Sequence, residues 1–441
     1  MATSRANKVS PRLQQIAKLA REAPGMVFTT LAHHIDIDLL LEAYRLTRKE
    51  CAVGVDGQTA AEYAIRLEDN LNDMLSRFKS GLYRAPPVRR VYIPKGDSGK
   101  TRPIGIPTFE DKVLQRAVTM VLEAVYEQDF LDCSYGFRPG RSAHQALEAL
   151  WDGFLQMKGG WVLDVDLQDF FGSLEHNHLR DFLDKRIRDG VIRRAIGKWL
   201  NAGVMEGRTV TRSQSGSPQG GVISPLLSNI YLHEVLDLWF EQEVKPRLRG
   251  DAFLIRYADD YLIVCAHEHD ADAVMGVLPK RMGRFGLTIH PEKTRQIPFK
   301  RPFRGRPKDK VSFDLLGFTH FWAKSRKGHW MVKRKTSKGS FRRTVKRISM
   351  WCRIHRHDPI AEQQRRLTQM LRGHDAYFGI TGNSEALQLI RHLTRNIWRF
   401  WLNRRTNNSR MDWATFARLL LRYPLPGVRT VHSRLRRPQR I

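Results

Sequence analysis

Between residues 10 and 80 apolar side chains recur at the three-and-four spacing of amphipathic helices, interrupted at Gly54-Val-Asp-Gly57. The pattern then changes. Val88–Ile93 reads as a strand, followed by a loop of Gly, Asp, Ser and Lys and by Arg102-Pro-Ile-Gly-Ile-Pro107. Gln115–Tyr126 returns to helical spacing, and Trp161–Leu167 is a short apolar run that suits a buried strand. Ser224 and Pro225 supply a cap and a first-turn proline for a helix reaching Leu236. Phe253–Tyr257 and Tyr261–Ala266 flank Ala-Asp-Asp, which predicts a hairpin with acid at its tip. Lys300–Lys310, rich in Pro, Gly and basic residues, reads as a solvated loop. In Ser384–Arg405, Leu387, Ile390, Leu393, Ile397 and Trp401 mark one helical face, and Arg391, Arg395 and Arg399 another.

Composition adds a partner to this outline. The 441 residues suffice for two or three domains, and 41% hydrophobic content for real cores. Lys and Arg number 75 against 45 acids, a net charge of +30, which calls for a polyanion such as nucleic acid. The excess is concentrated: residues 321–441 hold 29 Lys and Arg and 5 acids, a net of +24, leaving +6 for the first 320. A ribosomal-type or membrane-surface protein fits the charge but none of the acidic motifs below. No apolar run has the length of a membrane span and no signal-peptide core is present, so no membrane partner is expected. The basic, acid-free first twenty residues leave a transit peptide as a minor alternative. Cys51, Cys133, Cys265 and Cys352 are isolated, which argues against disulfides and zinc ribbons and suits a reducing compartment.

Carboxylates intrude on apolar strands at two places. In Trp161-Val-Leu-Asp-Val-Asp-Leu167 the strand period puts Asp164 and Asp166 on one face; Asp259 and Asp260 occupy the hairpin bend. Like charges placed this way are costly unless compensated. Two divalent cations would offset them, and an oxygen-only donor set suits magnesium, with manganese as a substitute. Such ion pairs serve in-line phosphoryl transfer. A decoy is set aside: Gly96-Asp-Ser-Gly-Lys-Thr101 ends like a phosphate-binding P-loop, but Pro94 stands where the first glycine belongs and Pro103 replaces the helix.

These strings together resemble a family. Tyr257-Ala-Asp-Asp260 resembles the Y-x-D-D box of reverse transcriptases, and Asp164-Val-Asp-Leu-Gln-Asp-Phe-Phe171 their first aspartate motif. Gly216-Ser-Pro-Gln-Gly-Gly-Val-Ile-Ser-Pro-Leu-Leu-Ser-Asn-Ile-Tyr231 is similar, nearly residue for residue, to an element of group II intron reverse transcriptases. Cys133–Gln145 resembles the finger-to-palm element, where arginines meet template or nucleotide. Gly286-Leu-Thr-Ile-His-Pro-Glu-Lys-Thr294 resembles a later palm motif, Leu315-Leu-Gly-Phe-Thr319 the primer grip, and Gly54–Thr59 an N-terminal element. Leu371-Arg-Gly-His-Asp-Ala-Tyr-Phe-Gly379 and Trp401-Leu-Asn-Arg-Arg405 resemble the maturase, or thumb, domain.

The resemblance implies an α+β right-hand polymerase: fingers and palm built on antiparallel sheet and helices, and an α-helical thumb. It divides the chain into residues 1–85 (N-terminal helices and start of the fingers), 86–320 (fingers and palm) and 321–441 (basic thumb/maturase domain). It implies catalysis by Asp166, Asp259 and Asp260, with two Mg2+ ions held by these three and by Leu167. Lys95, Arg102, Phe171, Gln219 and Lys293 become nucleotide-binding: Lys95 and Arg102 grip the triphosphate, Phe171 is a steric gate against a 2′-hydroxyl, and Lys293 helps pyrophosphate leave. Gly172 departs from the family, which often has Asp there. The implied partners are group II intron RNA, an RNA template, a DNA primer, deoxynucleotides and target DNA, with monomer and homodimer both open. The implied setting is a ribonucleoprotein in the bacterial cytoplasm or nucleoid. The maturase part ends without the His-Asn-His nuclease of many relatives, so second-strand nicking is not expected. A host-adopted free-standing reverse transcriptase and a splicing-only RNA-binding maturase are the alternatives.

Overall fold

The computed structural model describes residues 2–94, 101–207, 209–211, 216, 220–302, 311–325, 327–405 and 411–432. The chain forms two compact units, residues 1–153 with 160–298, and residues 154–159 with 299–441. The first opens with helices α1 (Ala2–Glu22), α2 (Ile37–Leu46), α3 (Ala60–Ala64) and α4 (Leu67–Ser80). Strands β1 (Val88–Pro94) and β2 (Thr101–Ile106) lead into α5 (Phe109–Tyr126) and α6 (Ala143–Met157). Then come β3 (Gly159–Val165), β4 (Leu167–Gln168), α7 (Phe170–Ser173), α8 (His176–Asp184), α9 (Gly190–Leu200), β5 (Val204–Glu206) and β6 (Thr209–Thr211). Helix α10 (Ser224–Leu232) runs on in π-helical turns to Val244. The hairpin β7 (Ala252–Tyr257) and β8 (Asp260–Cys265), α11 (Glu268–Arg284), β9 (Thr288–Ile289) and β10 (Arg295–Lys300) follow. Thereafter β11 (Ser312–Leu315), β12 (Phe318–Lys324) and β13 (Trp330–Thr336) precede α12 (Lys338–Ile354), α13 (Ile360–Phe378), α14 (Ser384–Leu402) and α15 (Trp413–Arg422).

Helix α5 is the hub of the first unit. Val113, Leu114, Ala117, Val118, Val121, Leu122 and Val125 are fully buried, and α1 and α2 pack against the helix. It starts six residues before the stretch its spacing predicts. Thr108 accepts a hydrogen bond from the Asp111 N–H at 3.2 Å, and Glu110 and Asp111 lie in the positively polarised first turn. Gly54 explains the interruption in the early helices: an added Cβ would stand 2.6 Å from the Thr108 Cα, so only glycine lets the 54–57 loop lie on this cap. At α10 the expected cap is corrected. Ser224 is the first helical residue and Ile223 the cap position. The partly buried backbone just ahead of the helix is satisfied from afar, because Gln115 Oε1 accepts from Val222 N at 2.8 Å.

Two four-stranded sheets carry the first unit's working residues, in the orders β2-β1-β5-β6 and β10-β3-β8-β7. Neighbours β3/β8 and β7/β8 are antiparallel. The second unit contains a three-stranded antiparallel sheet, β11-β12-β13, and a helical core of Ile348, Cys352, Leu367, Leu371, Ile390, Trp398, Leu402 and Phe416. The arginine stripe on α14 is not uniform. Arg391 is buried against Asp375 at 2.5 Å, and Arg399 packs over the Trp413 ring at 4.0 Å, whereas Arg395 is exposed. No helix among the described residues is long and apolar enough to cross a membrane.

Candidate active site

The β7–β8 hairpin closes in a two-residue turn. Tyr257 pairs with Asp260, so Ala258 and Asp259 alone close it, and Ala258 takes φ +57°, where residues with a Cβ rarely sit. Three elements hold this conformation. The Cys133–Gly136 segment lies along the β7 end, with Arg256 N donating to Cys133 O and Tyr135 N to Arg256 O, both at 2.8 Å. Gly136 faces the turn so closely that a Cβ there would collide with the Ala258 nitrogen. From beneath, the fully buried Arg256 donates to both carboxylate oxygens of Asp237 (2.7 and 2.5 Å), to Asn229 Oδ1 (2.9 Å) and to Ala258 O (3.2 Å). Asn229 in turn donates to Gly136 O at 2.8 Å.

The strand register brings the acids together. Val165 pairs with Tyr261 and Asp164 with Leu262, so one step further along β3 sets Asp166 abreast of Asp260. Asp260 reaches solvent yet is closely ringed by protein atoms, and its pKa is pushed up to about 6. Loss of hydration is the larger cause, followed by the negative fields of Asp259, Asp166 and Asp164. Arg102, exposed on β2, is near enough to oppose that shift. The segment after β9 partly neutralises the cluster: Lys293 Nζ lies 2.5 Å from Asp166 Oδ2, and Arg295 Nη2 2.8 Å from Asp164 Oδ2. The same segment binds the strand end through its backbone, His290 N donating to Asp166 O at 2.8 Å.

The other expected residues divide. Phe171 is half-buried at the start of α7, edge-on to Phe170 with centroids 5.3 Å apart, and the buried Leu167 pairs with Ile289. Lys95 and Gln219 lie outside the described residues. Their neighbours are placed: a Cβ on Gly216 would come within 3.1 Å of the Phe171 and Gly172 carbonyls, and one on Gly220 within 2.5 Å of Gly105 O on β2. Gly216 therefore lies against the Phe171 turn, and Gly220 against the strand that carries Arg102. Gly172 leaves room for the Asp169 carboxylate, which a Cβ would strike. The arginines of the Cys133–Gln145 element are occupied within the protein. Arg138 is buried on Glu127 and on the Leu131 and Ser134 carbonyls, and Arg141 pairs with Asp132 at 2.5 Å.

Residues 93–320 match the sequence profile of the family described as reverse transcriptase (RNA-dependent DNA polymerase). This chain belongs to the reverse transcriptase family. Residues 338–418 match the maturase-specific domain of group II introns, which places the chain with group II intron-encoded members. It is 37% identical over 248 residues to the group II intron-encoded protein LtrA of Lactococcus lactis subsp. cremoris, covering 54% of this chain and 40% of that one. It is 34% identical over 327 residues to protein YkfC of Escherichia coli K12, covering 65% and 84% respectively. Nuclear intron maturase 2 of Arabidopsis thaliana is 27% identical over 233 residues, covering 44% and 30%. The chain thus spans about two fifths of the Lactococcus protein.

Reverse transcriptases depend on divalent metal, and the donor set here suits one. Among the described residues no three His, Cys, Asp or Glu side chains close into a ready cage. The fit is one of chemistry and charge: oxygen donors only, converging from two strands, with a raised Asp260 pKa that a cation would relieve. Sequence reasoning missed the support beneath the turn. Its signal was visible, since Arg256 stands at a buried position of the apolar strand Phe253–Tyr257.

Proposed function

We propose that this protein is an RNA-directed DNA polymerase that also binds a group II intron RNA and assists its splicing and retrohoming. The observation that carries the reading is the register that sets Asp166 abreast of Asp260, with Asp259 at the adjoining tip. In this reading Asp166, Asp259, Asp260 and the Leu167 backbone hold two magnesium ions, which when bound lower the barrier to attack by the primer 3′-hydroxyl and to departure of pyrophosphate. The chain's own groups do the rest. Arg102, with Lys95 and Gln219, binds and orients the deoxynucleoside triphosphate, and Phe171 excludes a 2′-hydroxyl. Lys293, which lies against Asp166, would help pyrophosphate leave by setting its ammonium against the negative charge that builds on it.

The basic second unit would hold the product duplex and the intron RNA, its cations meeting phosphates. Residues 1–85 and 86–320 would act as fingers and palm and 321–441 as thumb, in a ribonucleoprotein of the bacterial cytoplasm that also engages target DNA. Primer extension on an RNA template with magnesium or manganese tests the polymerase. Asp259→Asn is expected to abolish synthesis while leaving intron RNA binding within about twofold, since the substitution is remote in sequence from the basic unit. Absence of synthesis by the unmodified protein under both metals would refute the reading.

A further inference from the structure

A cleft of about 810 Å³ opens between α12 and α13 of the second unit. Arg343 and Arg347, one turn apart on the same face of α12, line one wall, and Arg366 on α13 the other. All three are exposed, and among the described residues none of them pairs with a carboxylate. Trp351 and Tyr377 add half-buried aromatic surface. His374 completes the lining. It is 4% exposed and stacked on Phe378 with centroids 4.7 Å apart, and neither ring nitrogen has a hydrogen-bond partner among the described residues. The nearest carboxylate atom among the described residues, Asp375 Oδ1, stands 3.8 Å away, beyond hydrogen-bond reach, while Arg391 holds the other oxygen, Oδ2. A buried imidazole without a hydrogen-bond partner is costly, and at the wall of an open cleft a ligand oxygen can satisfy it.

The glycine between these residues points the same way. Gly373 lies inside α13, where glycine weakens a helix. Neither usual reason for it applies: its backbone is helical, and an added Cβ would meet nothing within 4 Å. What a side chain at 373 would do is grow into the cleft, which it lines. Keeping that space open is the remaining reason.

We propose that this cleft is a binding site for a nucleotide phosphate, held by Arg343, Arg347 and Arg366, with His374 as a further donor and the aromatic wall against the base. Guanidinium groups match phosphate oxygens in geometry and charge, and aromatic faces accept any base. The site rests on the proposed function only in taking nucleic acid as the source of that phosphate.

The test uses the full chain, a short fluorescein-labelled single-stranded RNA and anisotropy at fixed salt. Gly373→Leu fills the cleft without changing charge, and His374→Phe keeps the stack but removes the nitrogens. Both are expected to weaken binding roughly tenfold, with an unchanged or raised melting temperature. Arg347→Glu should weaken it at least as much, and Arg342→Glu, on the same helix but outside the cleft, by less. Displacement of the label by adenosine monophosphate assigns a free nucleotide; displacement only by unlabelled RNA assigns a strand phosphate. Wild-type affinity in both Gly373→Leu and His374→Phe overturns the site, as does equal loss in Arg342→Glu and Arg347→Glu. Primer extension on a preformed template–primer is run beside it, and its failure counts against the polymerase reading alone.

Discussion

Arg256 and Asp237 have no exposed surface, and the pair is joined by two hydrogen bonds directly under the strained Ala258 turn. Burial alone would lower the arginine's pKa, and the Asp237 carboxylate more than reverses that. Removing one member strands the other's charge in the interior. Asp237→Leu should therefore destabilise the protein by about 3–5 kcal/mol in urea unfolding. Pairing it with Arg256→Met should recover most of that loss, because two well-packed apolar side chains replace a buried pair at little cost. The double variant would still lack the hydrogen bonds to Asn229 and Ala258 O, so DNA synthesis is expected to stay impaired after stability returns. Equal recovery of both would make the pair a packing feature only.

Helix α5 joins separate parts of the first unit through one buried chain of contacts. Trp199 Nε1 donates to the Tyr83 hydroxyl at 2.9 Å, and that hydroxyl bonds the Asp111 carboxylate in the helix's first turn. Burial pushes Asp111 from an ordinary value of 3.8 up to about 7, although the Tyr83 hydrogen bond opposes the shift. Between those values the folded protein keeps a proton that the unfolded chain has released, so stability falls as pH rises through the window. The slope from this group should reach about 1.4 kcal/mol per pH unit, and Asp111→Asn should flatten it in urea titrations from pH 4 to 7. On β12 of the second unit the sign is reversed. Burial, reinforced by Arg334, lowers the His320 pKa from 6.5 to about 3, and neither ring nitrogen has a hydrogen-bond partner among the described residues. Here the unfolded chain takes up the proton first, so stability is lost as pH falls below 6.5. His320→Phe, stacked on Phe313 as the imidazole is at 4.9 Å, should remove that acid sensitivity and raise the melting temperature. An unchanged acid transition would place the instability elsewhere.

For the molecule as a whole the dominant quantity is charge. With +24 carried by residues 321–441, RNA binding should be governed by release of counterions from phosphates. If ~6 phosphates are neutralised, affinity should drop by roughly a thousandfold between ~50 and ~200 mM salt, and a flat salt profile would exclude this mode of binding. Not every basic residue contributes. Arg138, Arg256 and Arg391 are buried in internal networks, a fate that composition could not distinguish from a surface contact. The usable charge is what remains exposed.

Local pattern was enough for much of this protein. Period-two alternation placed Asp164 and Asp166 on one face, and the Ala-Asp-Asp interruption located the hairpin tip, because both depend on neighbouring residues alone. The site itself needed chain segments far apart. Pairing of β3 with β8 set Asp166 beside Asp260, Gln115 satisfied the backbone ahead of α10, and Asp237 neutralised Arg256. Those choices follow from which buried polar groups can satisfy one another once the cores have packed, and packing in three dimensions leaves no periodic trace in the sequence.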